Sequence, residues 1–159
     1  PRETANKMYK GMSQGFNRLL TISRTEQLRA YRQATVMQYR ESGVVKGFRR
    51  LVAKRGACMA CLVSDGEYFE VAEDFSDHPN GRCSLICVLH GVPEREWLYG
   101  ENWFRSLGAD QQQSIMGDQY YQAWKGGAFK LSELRSTAHS DVWGDSPKVT
   151  PLKELLGVD

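Results

Sequence analysis

The feature that most constrains this chain is a run of sulfur and imidazole. Cys58 and Cys61 stand in "ACMACLVSDG", and His78 and Cys83 follow in "DHPNGRCSL". The C-x2-C spacing lets two thiolates face one ion from a tight turn. Sixteen residues, enough for a turn and a short strand, separate Cys61 from His78, and four more separate His78 from Cys83. A strand that returns "HPNGRC" beside the knuckle would complete a Cys3His tetrahedron from Cys58, Cys61, His78 and Cys83. A shell of that kind contributes folding energy and leaves no open position for catalysis. Structural zinc is the leading reading of the spacing. The alternatives are reduced cysteines packed in a sheet, a disulfide, a redox pair, and a Cys/His nucleophile. Cys87 lies inside the apolar run "CSLICVL" and reads as core packing, because a free cysteine behaves as a small hydrophobe.

Hydrophobic periodicity places the constellation between two helical regions. Met8, Met12, Phe16, Leu19 and Leu20 recur at helical spacing and predict a helix over 5–20. A second helix is expected from "SRTEQLRAYRQATVMQYRESG", with Ser23 and Glu26 as a capping box and Gly43 as the left-handed stop. Its expected buried face is Leu28, Tyr31, Ala34 and Met37. Strand-length runs follow at 44–53, 67–72 and 83–89, separated by the turn signals "SDGE" and "DHPNGR". Helical signals return at 94–107, at 109–127 with a break at Gly117, and at 130–136. The pattern predicts an α+β fold: N-terminal helices, a small central antiparallel sheet carrying the Cys/His knuckle, and a helical C-terminal tail. Two regions are expected, a core over 1–92 and a helical extension over 93–159 packed on it. In the tail, Trp97, Trp103, Trp124, Trp143, Tyr120 and Tyr121 read as core, and His90 and His139 as lone structural histidines. Asp65, Glu67, Asp74 and Asp77 are expected to be solvated at turns and strand edges.

At 159 residues the chain can bury one core, and its 41% hydrophobic and 25% charged residues are those of a globular protein. No apolar run approaches the roughly 20 residues of a membrane span. "PRETANKMYK" has no apolar leader core, and a first residue of Pro suggests a processed or excised chain. Net charge is +2 but strongly polarised: residues 1–55 hold 13 Lys/Arg and three acids, which leaves 8 basic and 16 acidic residues in the rest. Such a basic third can lie on nucleic acid or on an acidic partner. It can equally be the wet face of two amphipathic helices. The cations proposed for nucleic-acid or partner binding are Arg24, Arg29, Arg32, Arg49, Arg50, Lys54 and Arg55.

The order of these features resembles the phage head morphogenesis family, the MuF-type minor capsid proteins of tailed phages. The resemblance rests on Arg24-Thr25-Glu26, on Tyr39 with Gly43-Val44, on Cys58 and Cys61 with Asp65-Gly66, and on His78-Pro79-Asn80 with Arg82-Cys83. It covers about residues 20–90, and this chain has Gly81 where the family's "HPNCRC" has its first cysteine. The resemblance implies a minor head protein of the virion, made in the bacterial host cytoplasm and associated with portal and capsid proteins at the capsid interior. It would act in assembly or genome delivery and could face packaged double-stranded DNA. It implies no membrane or small-molecule substrate. Because such domains also occur fused to toxins, a nuclease or toxin-type enzyme at the His/Cys corner is the alternative. A salt-sensitive, non-specific DNA-binding module is a third reading.

Overall fold

A computed structural model describes residues 2–158. It begins with one uninterrupted helix, α1 (Arg2–Glu41), of 40 residues, about 60 Å long at 1.5 Å per residue. The two helices expected from the sequence are therefore one, and the Ser23/Glu26 capping box does not start a helix. No Pro or Gly occurs between Phe16 and Ser42 to break the hydrogen-bond ladder. The hydroxyls near the expected boundary turn back on the helix instead. Thr21 donates to the Asn17 carbonyl and Thr25 to the Thr21 carbonyl. Gly43, at φ +65°, ends the rod as the sequence predicts.

Strand β1 (Val45–Leu51) pairs antiparallel with β2 (Tyr68–Glu70) on one side and β3 (Ser84–Leu89) on the other. Between β1 and β2 the C-x2-C knuckle leads into a single helical turn, α2 (Met59–Val63). The tail contains α3 (Gly100–Ser106), α4 (Ala109–Met116) and α5 (Asp118–Lys125), with Gly117 at φ +85° between the last two. It closes with a 3-10 turn over Leu131–Leu134, a hairpin of β4 (Arg135–Ala138) and β5 (Ser146–Val149), and α6 (Leu152–Leu156). The fold is α+β. Two tail expectations change. Residues 94–99 are not helical, and 130–136 is a 3-10 turn running into a strand.

The core forms where the sheet, α2 and the tail meet. Phe48, fully buried on β1, stacks on Phe69 across the β1–β2 pair at a centroid distance of 5.3 Å, and Phe75 meets both rings edge-on. Gly47 beside it admits no side chain, because a Cβ there would run into the Tyr68 ring and the Phe69 carbonyl. Met59, Ala60, Cys61 and Leu62 of α2 are buried, and α2 packs against α3, β4, β5 and the 3-10 turn. One hydrophobic cluster runs from Val36 through Phe48 and Leu62 to Phe104, Leu131 and Leu134, so it draws on both sides of the boundary expected at 92/93.

Cys87 is exposed, not packed as the sequence suggested, because β3 is an edge strand of the sheet. The buried face of α1 is Thr25, Arg32 and Val36, while Tyr31 and Met37 are exposed. The tail aromatics divide: Tyr121 is buried, Trp103, Trp124 and Tyr120 pack against the cluster, and Trp97 remains at the surface.

Phe48→Ala should destabilise the protein by about 3–5 kcal/mol, the cost of a cavity where a fully buried aromatic stood. Denaturant unfolding checks this, and a loss below about 1 kcal/mol would move the centre of the core elsewhere.

Candidate metal centre

Local structure brings the predicted donors together. Cys58 is extended (φ −75°, ψ 162°) and caps α2, so Cys61 follows it within the first helical turn. The second half is a tight turn in which the Gly81 N–H donates to the His78 carbonyl at 2.8 Å. Pro79 occupies its second position, where its ring presets φ, and Asn80 takes the left-handed φ of +62°. This turn aims the His78 ring at the knuckle and hands the chain through Cys83 into β3.

Two triads of possible ligands meet at Cys61. The donor atoms of Cys58, Cys61 and His78 lie within 4.8 Å of one another, as do those of Cys61, Cys83 and Asp77. His78 Nε2 is 3.2 Å from Cys61 Sγ and 3.7 Å from Cys58 Sγ, and the Cys61 and Cys83 sulfurs are 3.7 Å apart. A tetrahedral ion with metal–sulfur bonds of about 2.3 Å and metal–nitrogen bonds of about 2.0 Å requires separations of about 3.8 and 3.5 Å. The Cys58–His78 and Cys61–Cys83 contacts lie near those edges and Cys61 joins the two triads, so the four residues could hold a metal ion once Cys83 closes on the other three.

The surroundings orient His78 as a ligand. Its Nδ1 lies 2.9 Å from the Pro79 carbonyl, so Nδ1–H donates there and Nε2 faces the sulfurs. A ligating histidine is commonly fixed in this way. The electrostatics favour thiolate at Cys58 and Cys83. The Cys58 thiol is pulled down to about 4, first by the hydrogen bond from Cys61 and then, against the cost of burial, by the hydrogen bond with His78. His78 is raised to about 9, chiefly by its hydrogen bond to Cys58. Cys61 is pushed up because it shares its proton with Cys58 and Cys83, and Cys83 is lowered in return. Protons thus bridge the crowded sulfurs where a cation would bridge them outright.

Asp77 lies too near to be ignored, yet its oxygens are already engaged. Its side chain is wholly buried. Oδ2 accepts from Arg32 Nη2 at 3.1 Å and from the Cys83 backbone N–H at 3.3 Å. Oδ1 accepts from the His78 backbone N–H at 3.0 Å and more weakly from Arg50 Nη1 at 3.5 Å. Four donors fill its acceptor sites, so Asp77 braces the ligands and His78 completes the set. Arg32 reaches across from α1 to donate also to the carbonyls of Cys83 (2.8 Å) and Gly81 (2.9 Å). A Cβ at position 81 would collide with the Asp77 carboxylate, so a glycine is required there by this packing.

Two of the cations proposed for nucleic acid are therefore corrected. Arg32 and Arg50 are buried, 6% and 2% exposed, and face Asp77 and the Phe75 ring. Arg49 is engaged by Glu94 and by the Gly66 carbonyl, and Lys54 stands 3.7 Å from Asp65. Arg24 donates to Asn80 and Arg29 to the Val142 carbonyl, both at the surface, and Arg55 is exposed. The carboxylates are corrected too. Asp65 and Asp77 are buried, not solvated, and Asp65 accepts from the Val52 N–H at 2.8 Å. The sequence carried one signal for the brace: Arg32 falls on the same helical stripe as Thr25 and Val36, where an apolar residue belongs.

A second histidine also contacts carboxylates. His139 Nδ1 lies 2.6 Å from Asp145 and Nε2 3.4 Å from Asp141, beside a cavity of about 700 Å³ lined in part by Arg29, Arg40, Asp74 and Trp143. Asp145 raises its pKa and both nitrogens face acids. Comparison with protein families, with curated proteins and with solved structures finds no match to this chain.

Asp77→Ala should cost about 3–5 kcal/mol, because it leaves the buried Arg32 guanidinium without its counter-charge and Arg50 with Glu67 alone. Thermal and denaturant unfolding at neutral pH measure it. A loss under about 1 kcal/mol would show that the brace does not hold the corner.

Proposed function

We propose that this chain is a non-enzymatic assembly protein whose sheet corner is fastened by one structural zinc ion. The observation that carries the reading is the donor cluster: three sulfurs and one imidazole gathered in two triads that share Cys61, with the adjacent carboxylate committed to arginines. Three thiolates and an imidazole are soft donors that suit zinc over magnesium or calcium. Cys58, Cys61, His78 and Cys83 would hold the ion. When all four bind, no position is left for water or substrate, so the ion ties β3 to the knuckle and does not react.

The head-protein reading follows the resemblance of residues 20–90 to the MuF-type family. In that role the chain is a low-copy component of the virion, sited at the portal and capsid interior and in contact with portal and capsid proteins. A body held by its own clasp, with a long basic rod standing off it, suits a part that docks on others. Arg24, Arg29 and Arg55, the candidate cations at the surface, would meet the phosphates of packaged DNA in a salt-dependent, sequence-independent way.

Elemental mass spectrometry of the purified chain should find one zinc per molecule, and a chelator should lower the melting temperature by more than about 10 °C. No metal and no drop would reduce the corner to packed thiols. Cleavage of DNA or RNA that requires a divalent ion and vanishes in a folded His78→Ala variant would make the site a reaction centre. For the head role, antibody against the chain should detect it in proheads and virions of the phage that encodes it. Its absence from both particles would end that reading.

A further inference from the structure

Among the described residues, the first half of α1 is exposed throughout, from Arg2 to Leu20, and the helix buries side chains only on its later turns, at Thr25, Arg32 and Val36. This free arm is sharply two-faced. At the helical period, Ala5, Met8, Tyr9, Met12, Phe16, Leu19, Leu20 and Ile22 occupy an arc of about 160°, and Lys7, Lys10, Arg18 and Arg24 lie outside it. Phe16 is 62% exposed and Met12 73%, values that leave most of each side chain in water.

We infer that the arm is a self-association element, in which the apolar face of α1 pairs with the same face of a second copy of this chain. Three observations select that occupant. Ala5, Tyr9, Met12, Phe16 and Leu19 are spaced by four, three, four and three residues, the interval at which two helices interlock side chains along a seam. The exposed apolar side chains, at about 150–250 Å² apiece for the aromatics and somewhat less for the aliphatics, together offer about 800 Å². Each partner of a stable interface buries about that area. Charge does not oppose the pairing. Lys7, Lys10 and Arg18 sit on the far side of the cylinder, the seam is bordered by Thr4, Gly11, Ser13 and Gly15, and Arg2 alone, at the tip of the helix before the first seam residue, lies at the edge of the face. The two glycines have open space around them and allow close approach.

The body does not obstruct this contact. Thr25, Arg32 and Val36 point about 140° around the helix from the centre of the apolar face, so the anchored half and the free face look in nearly opposite directions. A chain cannot cover its own stripe without breaking α1. A second arm reaches it freely, and the product is a closed two-fold pair with a body on the outer side of each rod.

Sedimentation and light scattering of the 159-residue chain over a range of concentrations test the inference. The expected result is a monomer–dimer equilibrium in the micromolar range or tighter. Met12→Glu with Phe16→Glu should weaken it at least about 100-fold, because charges would then face each other across the seam. These side chains do not touch the body, so the double variant should keep the wild-type metal content and unfolding midpoint of the monomer. Amide exchange should be slow over residues 5–22 in the dimer and fast in the variant. A wild-type chain that stays monomeric at 200 µM, a concentration of the order at which a micromolar dimer is nearly complete, would overturn the inference. So would a dimer that survives the double substitution. Monomeric binding to vesicles of anionic phospholipid, lost in the same variant, would assign the stripe to a membrane surface and likewise overturn it.

Discussion

A single buried carboxylate organises the centre of this molecule. Asp77 accepts from an arginine on α1 and an arginine on β1, and from the backbone N–H groups on either side of the histidine turn. An isolated ion at that depth would be untenable; one that is paired and hydrogen-bonded at each oxygen becomes a fixed point. The carboxylate ties the histidine turn to α1 and β1. Even Gly81 is dictated by it, since the space a side chain would need is already taken.

The clasp and the hydrophobic cluster share residues, so they are one device. Cys61 and Cys83 are ligand candidates and also members of the buried cluster. Cys61 lies on α2, the turn against which α3, the 3-10 turn, β4 and β5 of the tail pack. Chemistry at the sulfurs is thereby tied to the packing of Leu62, Leu131 and Leu134 around them. This arrangement explains why a chain with a three-stranded sheet and short tail helices holds one core.

Much of this was legible in the residues, for identifiable reasons. The strands declared themselves by β-branched and aromatic runs between glycines and turns, and the two halves of the metal site by spacing. His78 and Asn80 behave as their types require in a Pro-containing turn. What the sequence concealed depends on partners distant along the chain. Arg32 looked like a cation for phosphate because nothing local shows that Asp77, 45 residues on, comes to meet it. The buried face of α1 was misread because its contacts are polar, so the apolar residues mark the opposite side. Cys87 sits in an apolar run that any scale would bury, and only strand order reveals it as an edge. Ser23 and Glu26 spell a helix start, yet capping chemistry is a preference that a continuous ladder overrides when no breaker intervenes.

The continuity of α1 makes the cysteine corner a pivot. Arg32 grips the loop carbonyls of Gly81 and Cys83, and thirty residues of stiff rod lie between it and the helix's first turn, a span of about 45 Å. A tilt of about 5° at the grip sweeps the far tip through about 4 Å over that length. Any tilt of the helix against the body is therefore magnified at its first turn, as a small turn of an oarlock redirects the blade.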